Sequence, residues 1–132
     1  MAADDIDGLT DLDLRIWVDG VGQSPNRVPR ALREAVREMD RPLVVPGREF
    51  GKPIPLAPQA DGRLGEIRVP TLAVVGALDT TGTRASAARL ASAVDGARLV
   101  TLPNVAHLVG MEVPARLAAL ITELLAPLPR WS

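Results

Sequence analysis

A strand–helix–strand pattern in the second half of the chain constrains the fold more than any other feature of the sequence. The run from Val69 to Gly76 is apolar and rich in β-branched residues, as expected of a strand buried on both faces. A narrow apolar stripe predicts a helix over residues 83–94, and residues 97–102 predict a second strand. Such a βαβ unit requires parallel strands and a right-handed crossover. The pattern therefore predicts an α/β fold class.

Helices are predicted on both sides of this unit. An amphipathic pattern predicts a helix that follows Pro29 and ends at about Met39. A second apolar stripe predicts a final helix that begins at Pro114 and lies on the sheet. Its stripe consists of Leu117, Leu120, Ile121, Leu124 and Leu125.

Charge and proline content divide the 132 residues, which are enough for one domain, into four segments. Residues 1–13 carry five aspartates and no basic residue, so we expect a frayed acidic arm. Residues 14–41 form the predicted helical segment. Residues 42–63 contain five of the twelve prolines and form a proline-rich connector. Residues 64–132 hold the predicted βαβ unit and the last helix.

The composition excludes several classes of function. Fifteen basic and sixteen acidic residues give a formal net charge of −1, without the basic excess that nucleic acid binding requires. No cysteine and a single histidine exclude disulfides, thiolate metal sites and histidine-rich metal cages. No apolar run approaches the roughly 18 residues of a membrane span, and the first residues lack a signal-peptide pattern. We therefore expect a soluble, cytoplasmic protein with no cofactor, metal, nucleic acid or membrane partner.

Two residues after the predicted strands could carry chemistry together. Asp79 follows the first strand and His107, the only histidine, follows the second. Loops after parallel strands emerge at one edge of the sheet, so the two side chains can meet. A carboxylate that accepts from the Nδ1–H of an imidazole is the orienting part of a nucleophile–His–acid triad. In the alternative interpretation, Asp79 caps the next helix or its turn and His107 is structural.

Structural roles are favoured for four other residues. Gly76 and Gly82 are expected in turns rather than in a phosphate cradle, because the lysine of a P-loop is missing. Glu112 is expected to be a capping and dipole partner of the last helix rather than an acid catalyst. Trp17 is expected to pack rather than to stack on a substrate.

Residues 67–79, 96–107 and 111–114 closely resemble the C-terminal part of α/β-hydrolase-fold proteins. They match the patterns I-x-V-P-T-L-x-V-x-G-x-x-D and G-A-x-L-x-x-x-P-x-x-A-H-x-x-x-x-E-x-P, and the resemblance covers about residues 60–128. More weakly, residues 14–20 and the helix after Pro29 resemble the end of the family's helical cap. The resemblance implies a partial α/β-hydrolase fold: a βαβ parallel strand pair with flanking helices, preceded by a cap remnant. It also implies that Asp79 is the triad acid and His107 the triad base.

The sequence departs from the family at the nucleophile. None of the serines, at positions 24, 86, 92 and 132, lies in the G-x-S-x-G elbow, and no aspartate has that spacing. We therefore predict a truncated or remnant hydrolase that is inactive alone and whose parental substrate was a small ester or lactone. The alternative is a non-catalytic interaction module. In both cases the unpaired strand edge at Leu72–Val75 predicts self-association or pairing with a complementary chain.

Overall fold

A computed structural model describes residues 5–44 and 51–128 of the chain. Helix α1 (Ile6–Asp13) continues into a π-helical segment (Leu14–Asp19) and is followed by α2 (Arg30–Asp40) and a 3-10 helix (Ala60–Glu66). The remaining elements are β1 (Leu72–Gly76), α3 (Thr81–Ala93), β2 (Arg98–Leu102), α4 (Val109–Glu112) and α5 (Pro114–Leu125). None of the helices in these two ranges has the length and apolarity needed to cross a bilayer.

The predicted βαβ unit is confirmed. Strands β1 and β2 pair in parallel, in a register that runs from Leu72 opposite Arg98 to Gly76 opposite Leu102. Helix α3 connects them, and its N-cap is Thr80, whose hydroxyl accepts a hydrogen bond from the Thr83 N–H at 3.2 Å. The predicted helices after Pro29 and from Pro114 are also present, as α2 and α5.

Both faces of β1 are covered. Leu72 and Val74 point toward α5 and pack against a core of Leu102, Val105 and Leu120. Because side chains alternate along a strand, Ala73 and Val75 point to the opposite face, and both are buried. Helix α3 contacts β1 and supplies this second layer. The arrangement is the one expected for a strand inside an α/β sheet.

The two strands differ in how well their surroundings cover them. Ala73, Val75 and Gly76 are buried in β1, whereas only Leu102 is buried in β2. Leu99, on β2, is 40% exposed. Strand β1 therefore has the burial of an interior strand, and β2 that of an edge strand.

One edge of β1 is open. At the two ends of the pairing, the Thr71 carbonyl accepts from the Arg98 N–H at 3.0 Å, and the Ala77 N–H donates to the Leu102 carbonyl at 2.8 Å. Since alternate residues of a strand direct their backbone groups to opposite sides, those of Leu72 and Val74 point away from β2. No other described strand lies on that side. We call these groups the open edge of β1.

The first helices form a separate layer, which we call the N-terminal layer and which comprises α1, the π-helical segment, α2 and the turn of residues 20–29 between them. Its core consists of Leu14, Val18 and Val28, against which Leu32, Val36 and Leu108 pack. Leu108 belongs to the loop after β2. The layer therefore rests on the end of the sheet where the strands terminate.

The frayed arm predicted for residues 1–13 is wrong for the described part of that segment. Asp5 caps α1 by accepting from the Gly8 N–H at 2.8 Å, and Thr10 is fully buried. Arg37 of α2 bonds to Asp11, and this hydrogen bond holds the pKa of Asp11 below its ordinary value. A second arginine of the same region is close to another aspartate: Nη2 of Arg41 lies 3.3 Å from Oδ1 of Asp7. The repulsion among the aspartates is thus offset by arginines distant in sequence. Residues 1–4 lie outside the described ranges.

The proline-rich connector is partly described. Residues 51–59 contain neither helix nor strand, as their prolines predict, and the 3-10 helix Ala60–Glu66 runs across the predicted boundary between residues 63 and 64. Residues 45–50 of the connector lie outside the described ranges.

The end of β1 packs on the loop after β2 so closely that only glycine fits there. A Cβ at Gly76 would lie 2.1 Å from the Ala106 carbonyl oxygen and 2.2 Å from that of Val105. We expect Gly76→Ala to lower the free energy of unfolding by about 1–3 kcal/mol, because the loop must move to relieve the clash. Urea unfolding measures this change.

Gly82→Ala is the matched control. Gly82 lies in α3, where the nearest atom to an added Cβ is the Thr80 hydroxyl at 3.9 Å. Alanine there should stabilise the helix by about 0.5–1 kcal/mol. Equal stability of Gly76→Ala and the wild-type chain would contradict the close packing.

Candidate active site

The structure brings Asp79 and His107 into direct contact. Oδ2 of Asp79 lies 2.9 Å from Nδ1 of His107. The aspartate side chain is 3% exposed and the imidazole is 40% exposed, so the carboxylate is enclosed while the ring reaches the surface. This geometry lets the carboxylate fix the ring tautomer through Nδ1, while the ring as a whole stays partly exposed.

Asp79 is held by the turn that follows β1. Its Oδ1 accepts from the Thr80 N–H at 2.6 Å, so each carboxylate oxygen has one partner. The backbone of the same turn is bonded to the loop after β2, through the Leu78 N–H and the Val105 carbonyl at 2.9 Å. The N-cap of α3 is Thr80 rather than Asp79, so Asp79 caps only the turn before the helix, through the Thr80 N–H.

His107 is held from the N-terminal layer. Its backbone N–H donates to the Trp17 carbonyl at 3.3 Å, and the two rings lie 4.8 Å apart at an interplanar angle of 56°. Trp17 is 37% exposed. The packing role expected for Trp17 thus includes a contact with the imidazole.

A cavity of about 310 Å³ opens beside the imidazole. It lies between the N-terminal layer and the histidine loop, and its wall is largely apolar. The lining residues are Asp13, Leu14, Trp17, Val18, Val36, Asp40, His107 and Leu108. The volume is at the lower end of that of small-molecule sites. A larger depression of about 470 Å³, between Pro25 and Glu34, contains neither Asp79 nor His107.

Two carboxyl groups, those of Asp13 and Asp40, line the otherwise largely apolar cavity. Oδ2 of Asp40 is buried and has no hydrogen-bond partner among the described residues. Burial raises the pKa of Asp40 above its ordinary value, and the nearby charge of Asp13 raises it further. Within residues 5–44 and 51–128, no three histidine, aspartate or glutamate side chains are grouped so that they could hold a metal ion.

Glu112 does not cap the last helix, contrary to the expectation from the sequence. The N-cap of α5 is Val113, and no side chain caps the helix. The Glu112 carboxylate instead accepts from the Ala106 N–H at 2.9 Å and from Arg27 at 2.6 Å. It is therefore a partner of the histidine loop. Sequence reasoning missed Arg27 altogether, because its contacts lie as far as 85 residues away along the chain.

Comparisons with known proteins support the fold. No family model and no curated protein matches the sequence. The structure is similar to that of MenH from S. aureus, an α/β-hydrolase-fold enzyme, with a TM-score of 0.60 at 18% sequence identity. The match covers 94% of this chain and 50% of that one, so the chain spans about half the length of the solved structure. The likeness concerns the fold alone and supports a partial α/β-hydrolase-like architecture.

Proposed function

We propose that this chain is the part of an α/β hydrolase that supplies the acid and the base, with Asp79 as the orienting acid and His107 as the general base. The hydrogen bond of 2.9 Å between a buried carboxylate and the only histidine carries this proposal. The similarity to half of an α/β-hydrolase-fold enzyme supports it.

The roles of the two residues follow from their positions. Nε2 of His107 accepts the proton of a hydroxyl group as its oxygen attacks a carbonyl carbon. The proton then passes to the oxygen of the leaving alcohol, and the negative charge of Asp79 stabilises the imidazolium between these steps. Asp79 is suited to this because its second oxygen is already bonded to the Thr80 N–H.

The nucleophile of such a reaction must come from outside the residues of this chain. The sequence contains no G-x-S-x-G elbow. Ser24 lies in an exposed turn, Ser86 and Ser92 lie on the exposed side of α3, and Ser132 is outside the described ranges. The backbone donors of the oxyanion hole, which depend on that elbow, are missing from the sequence too.

The substrate class follows from the cavity beside His107. Its largely apolar wall and its volume of about 310 Å³ suit a small ester or lactone with an apolar body. The carbonyl of such a substrate would approach the exposed edge of the imidazole. Most of the cavity wall is formed by the N-terminal layer, part of which resembles in sequence the end of the family's helical cap.

The open edge of β1 is where a nucleophile-bearing segment would enter. A strand that ran parallel to β1 on that side would end at the same edge of the sheet as Asp79 and His107. The burial of β1 favours this position over the far side of β2, where the charged and exposed Arg98 discourages pairing.

The open edge also favours a second candidate function, that of a non-catalytic interaction module. Unpaired backbone donors and acceptors of a buried strand bind an extended segment of another chain by strand addition. In this function the hydrogen bond between Asp79 and His107 has only a structural role, which is to connect the loops after β1 and β2.

The first prediction concerns the tautomer of His107. At a pH where the imidazole is neutral, we expect the proton to sit on Nδ1, where it is donated to Asp79. In Asp79→Asn the amide can donate to Nδ1, so the proton should move to Nε2. Nitrogen-15 NMR of the ring reports the tautomer, and the single histidine makes the assignment unambiguous.

The control is Asp61→Asn. Asp61 lies in the 3-10 helix, where it pairs with Arg89 on the surface, and its substitution should leave the ring unchanged. A mixture of tautomers in the wild-type chain that is the same in Asp79→Asn would overturn the proposed acid–base pair.

A second prediction concerns the open edge. We expect the wild-type chain to associate as its concentration rises, with a mass by light scattering above 14.0 kDa. Val74→Pro removes an outward N–H and none of the bonds to β2, so it should reduce association and keep the circular dichroism spectrum. Leu99→Pro, on the outer side of β2, is the control and should still associate.

A monomer at all concentrations, or unchanged association of Val74→Pro, would contradict a role for the open edge.

An assay with a p-nitrophenyl ester tests whether the chain is a complete hydrolase, which neither candidate function expects. We expect no turnover by the chain alone, because it lacks a nucleophile. Turnover that His107→Ala abolishes would show instead that the chain is a complete hydrolase.

A further inference from the structure

One arginine connects the N-terminal layer to the histidine loop. Arg27 lies in the turn before α2, and 14% of its side chain is exposed. On the side of the layer, Nε donates to the Asp19 carbonyl at 2.6 Å and Nη2 donates to the Val18 carbonyl. These carbonyls belong to the last turn of the π-helical segment, directly after Trp17. The guanidinium therefore satisfies backbone acceptors that the end of this segment leaves free.

On the side of the loop, the same guanidinium makes two further contacts. Nη1 donates to the Asn104 carbonyl at 2.7 Å and to Oε2 of Glu112 at 2.6 Å. Asn104 has a φ of +58°, in the left-handed region that non-glycine residues seldom adopt. The contact thus fixes the carbonyl of the residue at which the chain turns from β2 toward His107.

Glu112 extends this connection to the residue before the histidine. Its side chain is 5% exposed, and its Oε1 accepts from the Ala106 N–H at 2.9 Å. A buried carboxylate with one oxygen on an arginine and the other on a backbone N–H has little freedom to move. The backbone just before His107 is therefore held at Asn104 and at Ala106, in both cases through Arg27.

We propose that Arg27 is a positioning residue for His107. Through its contacts with Asn104 and Glu112, Arg27 holds the imidazole against Asp79 and beside the cavity. This inference rests on the proposed function of His107 as a base. The planar fork of a guanidinium reaches several acceptors at fixed angles, whereas the ammonium group of lysine is a point charge. Arg27 thus sets the orientation of the ring, in addition to joining two layers.

Arg33 offers a matched control for a purely structural role. Its side chain is also 14% exposed, and its Nε lies 3.2 Å from Oδ1 of Asp19. It lies in the same layer as Arg27 and shares Asp19 as a partner. Its side-chain hydrogen bonds among the described residues go to Asp19 alone, so its loss should not disturb the ring of His107.

The test is the nitrogen-15 spectrum of the His107 ring in Arg27→Met and Arg33→Met, recorded together with their thermal unfolding. We expect both variants to melt at lower temperature. Only Arg27→Met should lose the preference for the Nδ1–H tautomer, with the ring nitrogens shifted toward those of free histidine. Asp79→Asn serves as the reference for a broken pair.

Arg27→Lys and Glu112→Gln make the proposal testable if Arg27→Met does not fold. Lysine reaches fewer of the four acceptors, so a partial loss of the Nδ1–H preference is expected. Glutamine keeps the bond to the Ala106 N–H, so a smaller loss is expected there.

A wild-type tautomer in every folded Arg27 variant would overturn the positioning role, and so would an equal change in Arg33→Met. These outcomes differ from a failure of the proposed function. In that case the wild-type chain would itself lack the Nδ1–H preference, and Asp79→Asn would have no effect.

Discussion

The parallel pairing of β1 and β2 is the constraint on which the rest of the structure depends. Parallel strands end at one edge of the sheet, so the pairing places the loops after both strands side by side. Gly76 allows β1 and the loop after β2 to approach each other closely, because it has no side chain that would separate the strand from the Val105 and Ala106 carbonyls. Asp79 and His107, 28 residues apart in sequence, meet as a result of this packing.

The N-terminal layer adds what the two strands cannot supply. It places the Trp17 ring against the imidazole, forms most of the cavity wall and fixes the histidine loop through Arg27 and Glu112. The contacts of Arg27 and Glu112 are polar and largely buried, so each is costly to break. The layer and the sheet therefore form one site, although they are separated in sequence by the proline-rich connector.

Local sequence patterns predicted those helices and strands whose formation depends on residues close together in sequence. The β-branched run of β1, the stripe of α5 and the proline at its first turn all gave the right element, and their order gave the parallel pairing. The contact of Asp79 with His107 followed from topology. The helix α1 was missed because its aspartates are neutralised by Arg37 and Arg41, which are far away in sequence. Arg27 was missed for the same reason, since no local spacing marks a side chain that contacts Asn104 and Glu112.

The central claim is that the N-terminal layer and the loop after β2 meet at His107 to form one site. Nuclear Overhauser effects between the indole protons of Trp17 and the ring protons of His107 test it most directly. With ring centroids 4.8 Å apart, strong cross-peaks are predicted, and Trp131→Phe makes their assignment to Trp17 unambiguous. A folded chain with no cross-peak between these two rings would contradict the account.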